Sequence, residues 1–278
     1  MKAKVSDEAK ESRSYKVVKA NDMIQKARYD LSMSEIKLMS FIFAKVKITD
    51  KEGQDYVFSL KEFCEVCGIS NESTRNHQHI RNAIDGLKQK HFWIVNERGN
   101  EETVDWIRKA EIDKKSGRIS VKLDEAIFKY VMGLCEGNYT WYQLFFILPM
   151  KSAYSIRVYE MLKSYEGYCK ETKKPWVVEV DNLKAQLMAE HYKEFNRFRQ
   201  RVLDIAVKEI NDFTDIHVTW EPVKDGNRVV RLRFMVKENK NLAKAYFAGF
   251  DALDGKKKSK PKAKQIPGQM NLELADKE

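Results

Sequence analysis

The sequence has little of what builds several large protein classes. Its 278 residues include only four cysteines, with no regular spacing, which argues against a disulfide framework and for reduced thiols. Twelve glycines and five prolines are too few for a collagen-like or loop-dominated chain. The longest apolar run, 144–148, falls far short of the roughly 20 residues that span a bilayer. The first 14 residues are charged throughout and carry no apolar stretch of signal-peptide length, so the reading predicts a cytoplasmic protein with no membrane partner. What is present is 43% hydrophobic residues, enough for folded cores, and an excess of Lys and Arg (51) over Asp and Glu (41). A net charge of +10 favours a polyanionic partner.

Local patterns repeat once along the chain, at an offset of about 120 residues. In the first stretch, 34–46 has helical spacing, 56–58 reads as a strand, and Ser59 with Glu62 forms a capping box for a helix over 60–67. A longer helix runs to about residue 90. The strand 92–96, a turn over 97–100 and a partner strand over 103–112 complete the unit. The second stretch has a helix after Ser152, a strand over 176–180, a helix capped by Asp181, a long helix over 193–211, and a hairpin over 216–236 turning at 225–227. Helix, strand, helix, helix, hairpin is the order of a winged helix. The fold class expected is therefore α+β, two tandem winged-helix domains with a disordered basic C-terminal tail. The boundaries expected are a flexible N-terminus at 1–14, a first domain at 15–145, a second at 146–250 and the tail at 251–278. Residues 256–264 hold six lysines and no acid.

The long second helix carries the sharpest chemical signal. On a regular helical wheel Lys193, Arg197, Gln200, Arg201, Asp204 and Lys208 share one face, and Phe195, Phe198, Val202, Ile205 and Ala206 the other. Arginine can bridge O6 and N7 of guanine, glutamine can pair with adenine, and lysines at the ends suit phosphates. The competing reading is a solvated charged face. The adjoining hairpin favours DNA, because Lys224 and Arg228 fall at its tip while Arg231 and Arg233 alternate outward. The first-half helix offers Arg75, Gln78 and Arg81. Its following turn, however, holds Glu97, Glu101 and Glu102, and acid at a wing tip repels phosphate. The second domain is thus expected to dominate binding.

No enzyme chemistry gains support, and neither metal nor cofactor is expected. Cys64-x-x-Cys67 with His77 and His79 fits no common zinc finger, and the cysteines fall on an apolar stripe with Leu60 and Phe63. His77-Gln78-His79 is similar to the metal-binding histidine pair of rolling-circle nicking enzymes, but a polar middle residue in a helical context does not aim both rings at one ion. Gly249 and Gly255-Lys256 have the wrong spacing for a nucleotide-binding loop, and Lys257 stands where Ser or Thr would hold magnesium.

Three blocks resemble a known family. Lys16-Val-Val-Lys-Ala-Asn-Asp-Met-Ile-Gln-Lys-Ala-Arg-Tyr-Asp-Leu31 resembles the opening signature of the plasmid replication initiators, double winged-helix proteins that bind origin repeats called iterons. Lys151-Ser-Ala-Tyr-Ser-Ile-Arg-Val-Tyr-Glu-Met-Leu162 is similar to the first helix of their second domain, and Phe198-Arg-Gln-Arg-Val-Leu-Asp-Ile-Ala-Val-Lys-Glu-Ile-Asn211 to their recognition helix. Ile205 departs from the Pro of many relatives. The resemblance implies a bacterial, plasmid-encoded protein that binds iterons as a monomer, promotes origin opening and recruits the host initiator and helicase machinery. It also implies a homodimer formed through the first domain that represses its own gene. A winged-helix transcriptional repressor without a replication role is the alternative. Gln269, Leu272 and Leu274 resemble the short peptide by which bacterial replication proteins dock on the sliding clamp, against the reading that six terminal residues match a loose pattern by chance.

Overall fold

A computed structural model describes residues 7–47, 49–69, 74–96, 98–113, 115–132 and 138–253. The tail beyond 253, with its lysine run and clamp-like peptide, lies outside the described residues.

Within the segment 1–14 that is expected to be flexible, Asp7–Ser14 form helix α1. The Arg13 guanidinium is 2% exposed and donates to the Val66 and Glu65 carbonyls at 2.8 and 2.9 Å, satisfying acceptors at the C-terminal end of a later helix. A charged segment can be anchored by a single cation when orphan carbonyls receive it. Strand β1 (Lys16–Ala20) and helix α2 (Asn21–Lys26) follow.

The first winged helix then begins. Helix α3 (Met33–Phe43) starts from a full capping box between Ser32 and Glu35, strand β2 (Asp55–Ser59) follows, and α4 (Leu60–Cys67) starts from the anticipated Ser59–Glu62 box. Gly68 ends α4 at φ 68°, where a Cβ would also meet the backbone oxygen of Leu253 at 2.8 Å. Helix α5 is Thr74–Gln89. The hairpin β3 (His91–Val95) and β4 (Glu101–Asp105) stands as a two-stranded sheet. The expected partner strand over 103–112 is broken. Trp106, 1% exposed, turns into the core with its ring 4.9 Å from both Tyr29 and Phe92, and the chain changes sheets there. Strand β5 (Ile107–Ile112) joins β6 (Arg118–Leu123), giving the order β2-β6-β5. Helix α6 (Glu125–Met132) follows, and β7 (Tyr139–Gln143) pairs antiparallel with β1.

The second unit repeats the plan: α7 (Ala153–Ser164), α8 (Glu166–Thr172), β8 (Trp176–Glu179), α9 (Val180–Gln186), α10 (Phe195–Phe198), a π turn at Arg199–Leu203, α11 (Asp204–Phe213), β9 (Ile216–Asp225) and β10 (Arg228–Glu238). Its sheet runs β8-β10-β9, matching β2-β6-β5 in the first unit. The β3–β4 hairpin is therefore an insertion, and β5–β6 is the first wing. Helix α12 (Leu242–Leu253) returns to the first unit, where Phe145 lies against Tyr246 and Phe250.

The two units share buried charge. Glu160 of α7, fully buried, accepts from Lys19 Nζ of β1 at 2.6 Å and from the Tyr142 hydroxyl of β7. Arg157 donates to the Tyr29 hydroxyl at 2.6 Å and to the Ala27 carbonyl at 3.0 Å. Burial, reinforced by the Glu160 charge, raises the Tyr142 pKa well above its ordinary value, so this phenol remains a hydrogen-bond donor. Burial opposes the charged form of Lys19 and lowers its pKa, while Glu160 counters that effect.

Candidate nucleic-acid interface

In the second unit an apolar row fixes which side of the long helix faces out. Phe198, Val202, Leu203, Ala206 and Ile210 are fully buried, while Arg197, Gln200, Arg201, Asp204 and Lys208 are exposed. Lys193 is exposed too, but precedes α10 instead of lying on it, and its carbonyl accepts from Lys184 Nζ at 3.3 Å. Among the described residues, none hydrogen-bonds or ion-pairs with the side chains of Arg197, Gln200 or Arg201, so these groups are available to a ligand. Lys208 is paired with Asp212 one turn on, and Arg199 lies 3.5 Å from Asp204.

One residue departs from the regular helical wheel. Ile205, expected among the buried residues, is 38% exposed, and Leu203 takes a core place. The π turn is the cause, because a wider turn rotates every later side chain relative to a 3.6-residue helix.

The second wing turns through Asp225-Gly226-Asn227-Arg228, with Gly226 at φ 56°. Lys224 and Arg228 are exposed at the tip, and Arg228 lies 3.0 Å from Asp181, a water-exposed pair of little energetic weight. Asp181 does not cap α9 as expected, because it lies within the first turn of that helix; the N-cap position is Glu179. Leu232, Phe234 and Val236 line the inner face, and Arg231 and Arg233 point outward. Across the strands Arg231 faces Glu179 and Arg233 faces Glu221, so part of their charge is offset locally.

The first unit changes most against expectation. The acidic turn with Glu101 and Glu102 sits on the inserted β3–β4 hairpin, and Arg28 and Lys129 pair with these two acids. The true wing tip carries exposed Lys115 and Arg118. Asp113 shapes that turn by accepting from the Ser116 hydroxyl at 2.5 Å and the Lys115 amide at 2.9 Å, bonds that hold its carboxyl below the usual range. A crevice of about 260 Å³ lies between α5 and this wing, lined by Arg81, Lys115 and Gly117 among others. Gln78 is exposed and donates to Asn82 at 2.8 Å; the side chains of Arg75 and His77 lie outside the described residues. Local pattern cannot say which of two consecutive hairpins joins the sheet, so the basic wing is not legible in the sequence.

Cys64 and Cys67 are buried thiols, and among the described residues no group of three His, Cys, Asp or Glu side chains is placed to hold a metal. Burial raises the Cys64 pKa to about 11 and the Cys67 pKa to about 12. Both are raised above the unfolded thiol value, so their contribution to stability is fully present below about pH 8.5 and is lost as pH rises toward the folded values. Site-resolved alkylation at pH 8 should leave both unmodified in the native protein, and rapid labelling would contradict their burial. Among the described residues no helix is long and apolar enough to cross a membrane.

The chain is 25% identical over 233 residues to a replication initiation protein of Escherichia coli, covering 81% of this chain and 71% of that one. Its fold is similar to a crystal structure of the Pi initiator protein in complex with iteron DNA, with a TM-score of 0.66 and 18% identity over 82% of this chain and 99% of the other. The profile "Initiator Replication protein, WH1" matches residues 16–163 and "Initiator Rep protein, WH2" matches residues 179–236. With more than half of its length matched in this order, the chain belongs to the initiator replication protein family.

Proposed function

We propose that this protein initiates replication by binding repeated origin DNA, without covalent chemistry, through both winged helices. The observation that carries the reading is the exposed, unpartnered row Arg197, Gln200 and Arg201 beside a wing tipped by Lys224 and Arg228. α10–α11 enters a major groove, Lys193 and Lys208 meet phosphates at its two ends, and the wing grips the backbone, with Arg231 and Arg233 adding outlying positive charge. Arg75, Gln78 and Arg81, with Lys115 and Arg118, form the corresponding contact of the first unit. Its basic wing supports a larger DNA role for that unit than the acidic turn allowed. Origin opening, host helicase recruitment, a homodimer through the first domain and residence in a bacterial cytoplasm on a plasmid-borne gene complete the proposal. The Gln269, Leu272 and Leu274 peptide would add docking to a sliding clamp, which titration of residues 265–278 into purified clamp tests.

Two outcomes are expected. Lys115→Glu with Arg118→Glu should weaken specific binding about tenfold or more at moderate salt and shorten the footprint on one side, because two phosphate contacts become repulsions. An unchanged footprint would remove the first wing from the interface. Truncation after Gly255 should flatten the salt dependence of affinity while leaving the ratio of specific to non-specific binding nearly intact, since flexible ammonium groups release counterions wherever phosphate lies. Loss of that ratio would mean that the tail reads sequence.

A further inference from the structure

The long helix exposes one isoleucine among polar neighbours. Of the exposed residues between 195 and 213, Ile205 alone is apolar. It stands four residues after Arg201 and three before Lys208, within the polar face that the proposed function turns toward DNA. A regular helix would carry it toward Phe198 and Val202. The π turn at Arg199–Leu203 instead gives the core place to Leu203 and brings Ile205 out. Such turns are rare and frequently lie at functional sites. Charged and amide groups on this face can read guanine, adenine and phosphate, but none of them recognises the group that distinguishes thymine from cytosine on the major-groove edge, the C5 methyl. A β-branched hydrocarbon offers a stiff apolar surface for that methyl, and removing both from water is favourable.

We infer that Ile205 is a specificity-determining residue that reads the C5 methyl of a thymine in the bound sequence. The inference rests on the proposed entry of α10–α11 into the major groove. It involves no rearrangement of the protein, since the side chain is already presented by the π turn. Arg197 and Arg201, which precede it on the helix, set the depth at which the helix sits, and Ile205 then meets the one apolar feature of the groove.

The test uses the full chain and a duplex that it selects from a random pool. The same duplex is then synthesised with each thymine replaced in turn by deoxyuridine, which deletes only the methyl. Ile205→Ala should bind the thymine duplex about threefold to tenfold more weakly than the unaltered chain, the effect of one lost methyl-sized apolar contact or slightly more. One or two uracil positions should weaken the unaltered chain by a similar factor and leave the Ile205→Ala variant indifferent. Full affinity of Ile205→Ala, or losses that simply multiply at every uracil position, would overturn the inference. Arg201→Ala run alongside separates the two levels. If it loses binding while Ile205→Ala does not, the groove reading stands and the methyl contact fails; if both bind like the unaltered chain, the groove reading itself fails.

Discussion

Glu160→Ala should destabilise the folded protein by about 3–5 kcal/mol, the usual consequence of leaving a buried cation without its partner. The carboxylate is fully buried, accepts from Lys19 at 2.6 Å and from the Tyr142 hydroxyl, and lies 3.7 Å from Arg157. Removing it leaves the Lys19 ammonium and the Tyr142 phenol without their acceptor, beside the Arg157 cation, at the contact between α7 and the β1–β7 pair. The penalty is for a stranded charge, not for a lost attraction. Lys19→Met combined with Glu160→Met should therefore recover much of the loss, because replacing both members of a buried pair by apolar groups is often close to neutral. Urea unfolding followed by tryptophan fluorescence measures both. The single variant should also separate the two units into distinct transitions, since the network joins residues more than 100 positions apart. A single variant within 1 kcal/mol of the parent would mean that water or rearrangement supplies what the carboxylate does, and the network would then not hold the units together.

Arg197→Ala and Arg201→Ala should each cost about 1–3 kcal/mol of specific DNA binding, roughly fivefold to 150-fold, with folding stability changed by no more than about 0.5 kcal/mol. The two halves of the expectation share one cause. Neither guanidinium has a partner within the described residues, so the folded state loses nothing when it goes. In the complex each supplies several donors in a fixed fork that suits guanine or phosphate. Lys208→Ala should have a smaller effect, because Asp212 already engages its ammonium. Gel shifts on specific and scrambled duplexes distinguish base reading from phosphate contact: a base-reading arginine loses affinity on the specific duplex alone. Unchanged binding by both variants would refute the recognition-helix assignment.

Much of this was legible from local pattern. The Ser59–Glu62 capping box, the α4 and α5 helices and the outward alternation of Arg231 and Arg233 stand where periodicity put them. The misses share a different physics. A helical wheel assumes one rotation per residue, and a π turn breaks that assumption, which is why Ile205 was placed inside. The inserted β3–β4 hairpin has the same alternation as a wing, and only the buried Trp106 and the pairing of β6 with β2 reveal that the true wing comes next. Lys19, Arg157 and Glu160 were invisible as core residues because a charged side chain reads as surface until its partner, distant in sequence, is known. Arg13 is the same case: its acceptors are carbonyls 52 and 53 residues away.

Hydroxyl-radical footprinting of the full chain on tandem copies of a duplex that it selects from a random pool tests the central claim most directly. The account predicts two adjacent protected patches in each repeat, one for each winged helix, with Arg197→Ala plus Arg201→Ala abolishing the patch of the second unit and Lys115→Glu plus Arg118→Glu that of the first. Uniform protection without regard to sequence, or a single patch insensitive to the α10–α11 arginines, would contradict it.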